Sequence, residues 1–143
     1  MTAMDIRSFT ETDQPAVIRL WREVFPTAPV WNDTAEDIRR KLAVQRDLFI
    51  VAVQGPDVVG TAMGGYDGHR GWIYYVAVSP GQRRQGIGTA LLLELEKRLA
   101  RIGCPKANLQ VRAPADGGVV DFYERLGYVV EERISMGKRL QQT

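Results

Sequence analysis

The sequence predicts an α/β fold around a mixed sheet, and three observations carry that expectation. Runs rich in β-branched and aromatic residues alternate with leucine-rich helical stretches in the order β, α, α, several strands, α, β, α, β. One apolar run, Trp72 to Val78, ends at Ser79-Pro80 and passes through the basic, Gly-containing loop Gly81-Gln82-Arg83-Arg84-Gln85-Gly86 into a long helix. The composition, 45% apolar and 25% charged over 143 residues, is that of one globular domain, so residues 1–143 are read as a single domain.

The same composition excludes several classes. Nineteen basic against 17 acidic residues leave a net charge of only +2, so no overall field argues for nucleic acid or a membrane surface. The basic run Arg39-Arg40-Lys41 lacks the interleaved aromatics of a single-strand platform. The single cysteine, Cys104, has no internal partner, and Met1-Thr2-Ala3-Met4-Asp5 shows no basic region followed by an apolar run. The expected compartment is a reducing cytoplasm, and no apolar run approaches the length of a membrane span.

Taken in order, Ile6-Arg7-Ser8-Phe9 alternates as a short strand. A helix follows, capped by Thr12 or Asp13, with Pro15 in its first turn and Val17, Leu20, Trp21 and Val24 at helical spacing. After Pro26 and Pro29, Asp33 and Glu36 resemble a capping box for a second helix that buries Ile38 and Leu42 and leaves Arg39, Arg40 and Lys41 solvated. Leu48 to Val53 and Val58 to Met63 flank Gly55-Pro56-Asp57 as a hairpin, and Gly64 to Gly71 is too glycine-rich for regular structure. The helix from Ile87 to Ile102 carries Leu91, Leu95 and Leu99 on one stripe and ends at Gly103. A strand over 109–113, a helix from Val119 to Leu126 stopped by Gly127, and strands over 128–131 and 134–136 complete the chain. The two strands joined through the long helix should be parallel, with a right-handed crossover.

The loop before the long helix is the clearest candidate site. Backbone N–H groups at a helix N-terminus have no intrahelical acceptor and the dipole there is positive, which suits an anion. Gly86 and Gly88 remove Cβ atoms where an oxygen-rich ligand approaches, and Arg83 and Arg84 add fixed positive charge, so the loop is read as a pyrophosphate site. A dinucleotide-binding fingerprint fits poorly, because Leu91 stands where its third small residue belongs, and a P-loop lacks its Gly-Lys-Ser/Thr.

The stretch Val76-x-Val78-x-Pro80-x-x-Arg83-Arg84-x-Gly86-x-Gly88 resembles the acetyl-coenzyme A signature of the GNAT superfamily of N-acetyltransferases. Phe122-Tyr123-Glu124-Arg125-Leu126-Gly127-Tyr128 is similar to a later segment of that family. Met63 to Gly71, with Gly103-Cys104-Pro105-Lys106, further resembles its bacterial YpeA-like branch. The resemblance implies a mixed, mostly antiparallel sheet flanked by about four helices, with a splayed parallel strand pair at the cofactor site. It also implies acetyl-CoA as cosubstrate without a metal, and direct transfer to a primary amine of a peptide N-terminus or small molecule, by a monomer or homodimer.

Residue by residue, the resemblance places the pyrophosphate on the backbone of Arg84, Gln85, Gly86, Gly88 and Thr89, beside Arg83. The pantetheine arm and thioester carbonyl fall to the amides of Val76 and Val78. Tyr123 matches the general acid that protonates the departing thiolate. Asp116 replaces the family's frequent Asn, and as an acceptor it can bond the pantetheine or hold the last helix. The general base is missing: Gln110 stands where relatives that acetylate protein N-termini can carry Glu, and Trp72 to Val78 holds no carboxylate. At pH 7 roughly one-tenth of an α-amine is neutral, against fewer than about one lysine amine in a thousand, which favours a low-pKa acceptor served by water relayed from Tyr74, Tyr75 or a backbone carbonyl. Asp67 and His69 are further candidate bases in the Gly-rich connection. Cys104 follows a helix C-terminus, where the dipole disfavours a thiolate, so a covalent acetyl-cysteine route is not expected. Trp21, Trp31 and the connection containing Tyr66 are candidates for the border of the acceptor cleft. The alternative that this base-poor chain leaves open is a non-catalytic acyl-CoA-binding sensor.

Overall fold

A computed structural model of the chain describes residues 3–26, 33–112 and 117–140. The predicted order is observed as far as the last helix: β1 (Met4–Ser8), α1 (Gln14–Val24), α2 (Thr34–Leu42), β2 (Phe49–Gln54), β3 (Asp57–Tyr66), β4 (Gly71–Val78), α3 (Ile87–Arg101), β5 (Ala107–Leu109) and α4 (Gly117–Arg125). The strands form one sheet in the order β1-β2-β3-β4-β5, antiparallel throughout except for the parallel β4–β5 pair joined through α3. The chain divides into two compact units, Met1–Gln110 and Val111–Thr143. Among the described residues no helix is long and apolar enough to cross a membrane.

Opposite faces of the sheet in the first unit carry different helices. On one face α1 and α2 bury Val17, Leu20, Trp21 and Ile38 with Phe9, Phe49, Val51, Met63 and Ala77. Phe9 stacks on Phe49 with ring centroids 4.4 Å apart, and Trp21 stacks on Tyr75 at 3.8 Å. On the other face α3 buries Leu91, Leu92, Leu95 and Leu99, the predicted stripe. It seats closely because β3 turns glycines toward it: a Cβ on Gly60 would lie 2.9 Å from Leu91 Cδ1, and one on Gly64 2.9 Å from Leu95 Cδ1. The start of α2 follows its sequence signal, with Asp33 accepting from the Glu36 amide at 3.2 Å. Asp13 stands at the N-cap of α1 without a side-chain capping bond; its carboxylate instead accepts from the Thr10 amide at 2.8 Å and forms a two-pronged ion pair with Arg7 at 2.7 and 2.9 Å.

Four expectations are corrected. Gly64, Gly65 and Tyr66 belong to β3, because the glycines face α3 and α2 rather than serving as a loose connection; only Asp67 to Arg70 form the turn, tied by the Asp67 carboxylate accepting from the His69 and Arg70 amides at 2.8 Å. Lys41 is half-buried instead of solvated, and its ammonium donates to the Gly64 carbonyl. The strand expected over 109–113 runs earlier, over Ala107–Leu109, where Gly71 donates to the Lys106 carbonyl and fixes the register. In the second unit, 128–131 and 134–136 form no strand among the described residues. Val129, Val130, Ile134 and Met136 have strand propensity but lie exposed, and propensity without a ladder partner does not make a strand.

Candidate active site

The loop after β4 is built by backbone geometry. The Ser79 amide donates to the Val59 carbonyl at 2.8 Å, a 3-10 turn spans Pro80–Gln82, and the chain then reverses through Arg84 at φ +67 and Gly86 at φ +77. Gly86 is the N-cap of α3, no side chain caps that helix, and its first bond is Ala90 N–H to Gly86 C=O at 3.0 Å. The amides of Ile87, Gly88 and Thr89 therefore precede the first intrahelical donor, Ala90 N–H, and have no acceptor within the helix. Arg83, Arg84, Gln85 and Gly86 are exposed, and nothing lies within 4 Å of where a Gly86 Cβ would sit. Open space over an uncapped N-terminus, flanked by two guanidinium groups, fits a diphosphate.

One strand away, β4 is interrupted at the position its sequence left unmarked. The β3–β4 register slips between Thr61 and Met63, so Tyr75 and Val76 together oppose Ala62. Tyr75 takes up the extra residue with φ +53, a left-handed conformation that costs a non-glycine residue about 1 kcal/mol or more. Several contacts hold it there. Its ring stacks on Trp21, its hydroxyl donates to Asp37 Oδ2 at 2.8 Å, and its carbonyl accepts from the Thr61 hydroxyl at 2.8 Å. Thr61 is fully buried and accepts in turn from Trp21 Nε1 at 2.9 Å. Burial first, and the bond to Asp37 second, push the Tyr75 phenol well above its usual range, so it keeps its proton at any working pH.

Beside the bulge, one edge of β4 lies beyond its pairing with β5. The parallel pairing of β4 with β5 stops at Ile73↔Leu109. Since Ser79 donates toward β3, alternation turns the peptide groups of Val78 and Val76 the other way, toward the edge that β5 does not pair. These two amides are the ones singled out from sequence. Both belong to the unit that holds the loop.

Other predicted residues fall elsewhere. His69 is exposed in the β3–β4 turn, at the end of β4 opposite the loop, and the Asp67 carboxylate is engaged by that turn. In the second unit, Tyr123 lies on α4 with edge contacts to Phe122 and Tyr128 at 5.1 and 5.8 Å, and burial raises its phenol pKa. Asp116 and Trp31 lie outside the described residues. Cys104 donates to the Lys106 carbonyl at 3.4 Å and packs over Gly71. Sequence reasoning missed Asp37, an acid in the first turn of α2 whose partner is 38 residues away, and Thr61, whose role depends on a strand register. No local signal marks either residue.

A splayed sheet edge, a bulged strand and an uncapped helix following it define an acyltransferase type of architecture. The chain belongs to the GNAT family of acetyltransferases: the family model described as "Acetyltransferase (GNAT) family" matches residues 14–128. It is an N-acetyltransferase. Acetyltransferases of Pectobacterium atrosepticum and Sodalis glossinidius are each 48% identical to it, over 137 and 138 residues that cover 96% of both chains in each comparison. Among solved structures, the aminoglycoside acetyltransferase AAC(6')-Iy in complex with a coenzyme A bisubstrate analogue superposes with TM-score 0.79 at 17% identity, covering 96% of this chain and 99% of that one. The ribosomal-protein-S18-alanine N-acetyltransferase of Escherichia coli gives 0.72 at 25% identity, with 87% and 77% covered. The mixed five-stranded sheet agrees with these neighbours.

Proposed function

We propose that the protein transfers acetyl directly from acetyl-coenzyme A to a primary amine, at a peptide N-terminus or on a small molecule, through a tetrahedral intermediate and without a covalent enzyme intermediate. The observation that carries this reading is the uncapped, sterically open N-terminus of α3 at Gly86, directly after a strand whose Val76 and Val78 amides face an unpaired edge. The pyrophosphate accepts from the amides of 84–89, with Arg83 and Arg84 beside it. The pantetheine arm adds to β4 as a short strand, and the Val76 amide donates to the thioester oxygen as negative charge builds there.

The amine nitrogen then bonds the carbonyl carbon, and collapse of the intermediate breaks the C–S bond. Tyr123, with its phenol still protonated at neutral pH, gives its proton to the leaving sulfur. The proton shed by the amine leaves through water oriented by the Tyr75 hydroxyl, beyond which stands the Asp37 carboxylate. That carboxylate comes from α2, which accounts for the lack of an acid on β4 and at Gln110. The relative that acetylates a ribosomal-protein alanine supports a peptide acceptor, and the aminoglycoside enzyme supports a small-molecule one.

Calorimetry with acetyl-coenzyme A tests the donor half. Binding is expected for the wild type and its loss for Gly86→Asp; wild-type protein that does not bind, or a variant that binds equally well, removes the reading. Thiol release with a panel of amines tests turnover, and binding without amine-dependent release identifies a sensor instead.

A further inference from the structure

The acetyl-transfer reading assigns work to the Val76 amide but not to what holds that amide in place. Tyr75 immediately precedes it, and its φ of +53 is a conformation that an L-residue with a bulky side chain rarely adopts. Such a residue persists where its surroundings over-determine it. Here the fixation has two ends. At the backbone end, the Tyr75 carbonyl accepts from Thr61 Oγ1, which is itself fully buried and fixed by Trp21 Nε1. At the side-chain end, the phenol donates to Asp37 Oδ2. Asp37 is held by Arg40 at 2.6 Å, and Arg40 also reaches Glu36 at 3.6 Å. Between the two ends the ring lies flat on Trp21, with an interplanar angle of 11°.

The hydroxyl of Thr61 has one orientation that serves both neighbours. Its oxygen accepts from Trp21 and its only proton goes to the Tyr75 carbonyl, so α1 and the bulge are connected by a directed chain of two hydrogen bonds inside the core. Valine is nearly the same shape and packs equally well on a strand. A threonine at this fully buried position is explained by the direction it gives to the carbonyl, and packing alone does not require it.

We propose that Thr61 and Asp37 are positioning residues of acetyl transfer: gripping Tyr75 from its carbonyl and from its phenol, they hold the left-handed bulge and thereby aim the Val76 N–H at the thioester oxygen. The proposal rests on the acetyl-coenzyme A reading above for its catalytic half. Its conformational half, that these contacts hold the bulge, stands apart from that reading.

The test compares Thr61→Val, which deletes the hydroxyl and keeps the shape, with Thr61→Ser, which restores the hydroxyl. Two measurements are made: the φ of Tyr75 in a crystal structure of each variant, and thiol release from acetyl-coenzyme A with hydroxylamine, a small nucleophile already neutral at pH 7. In Thr61→Val the bulge is expected to relax out of the left-handed region. Its kcat should fall at least about tenfold, since a misaimed oxyanion donor approaches the effect of a missing one. Its calorimetric affinity for acetyl-coenzyme A should stay within about twofold, because the pyrophosphate loop is untouched. Thr61→Ser is expected to return both φ and kcat.

Retention of the left-handed φ in Thr61→Val, or an unchanged kcat, overturns the proposal, and so does a serine variant that rescues neither. If Thr61→Val does not fold, Asp37→Asn and Tyr75→Phe are read by the same two criteria from the other end of the grip. Wild-type protein that fails to bind acetyl-coenzyme A overturns the acetyl-transfer reading and the catalytic half together, and the φ measurement then decides the conformational half separately.

Discussion

The loop at 80–86 and the bulge at Tyr75 lie at opposite extremes of construction. The loop is exposed, free of side-chain caps, and built from residues that keep their Cβ atoms out of the way. The bulge is packed and hydrogen-bonded, and its partners are 14, 38 and 54 residues away in sequence: Thr61, Asp37 and Trp21. One region leaves its backbone donors unused, and the other fixes a single strained residue from several sides. An open loop and a pinned strand thus place different demands on the sequence: absence of bulk in the first, long-range agreement in the second.

Damage to each region should show in different observables. Trp21→Ala has the largest expected effect. It empties a fully buried site that packs on Phe49 and Tyr75, and it should cost about 4 kcal/mol in denaturant unfolding. Gly86→Asp should do the reverse: a carboxylate placed at the anion site should weaken acetyl-coenzyme A binding about 100-fold, equivalent to about 2.8 kcal/mol, with a much smaller change in unfolding midpoint. Gly64→Ala touches neither region but drives a methyl group against Leu95, and a loss of about 1–2 kcal/mol is expected by thermal or denaturant melting.

The smallest effect concerns the start of α1, which carries Trp21. The Arg7 guanidinium holds the Asp13 carboxyl below its ordinary range, so Asp13 stabilises the fold above the unfolded pKa of about 4, and that contribution is lost as pH falls through the lower folded value. Asp13→Asn should therefore cost about 1 kcal/mol at pH 7, and the difference from wild type should fade on acidification below about pH 4 in matched denaturant titrations.

The contrast also explains what could be read from the sequence. The element order as far as α4, the helix starts at Asp33 and Ile87, the leucine stripe of α3 and an open, uncapped loop before that helix follow from local chemistry, and all are present. The glycines of 64–71 misled because their role is steric: two of them face helices and lie inside a strand, where local rules read a loop. Asp37 went unmarked because it reaches the Tyr75 hydroxyl on β4 through tertiary packing, with no spacing to announce it. Strands expected at the C-terminal end rested on propensity alone, and their residues are exposed.

Gly60 ties the two regions together mechanically. The space its missing side chain vacates is filled by Ile87 Cγ2 at 3.1 Å and Leu91 Cδ1 at 2.9 Å, which belong to the first turns of the helix whose tip is the anion site. The same vacancy lies 3.1 Å from the carbonyl of Ala77, two residues past the bulge. The missing side chain at Gly60 therefore sets how deeply the first turns of α3 seat beside β4. On the proposed reading the span between diphosphate and thioester is fixed within one ligand, so the protein must hold a matching distance, and the close seating of α3 at Gly60 helps to set it.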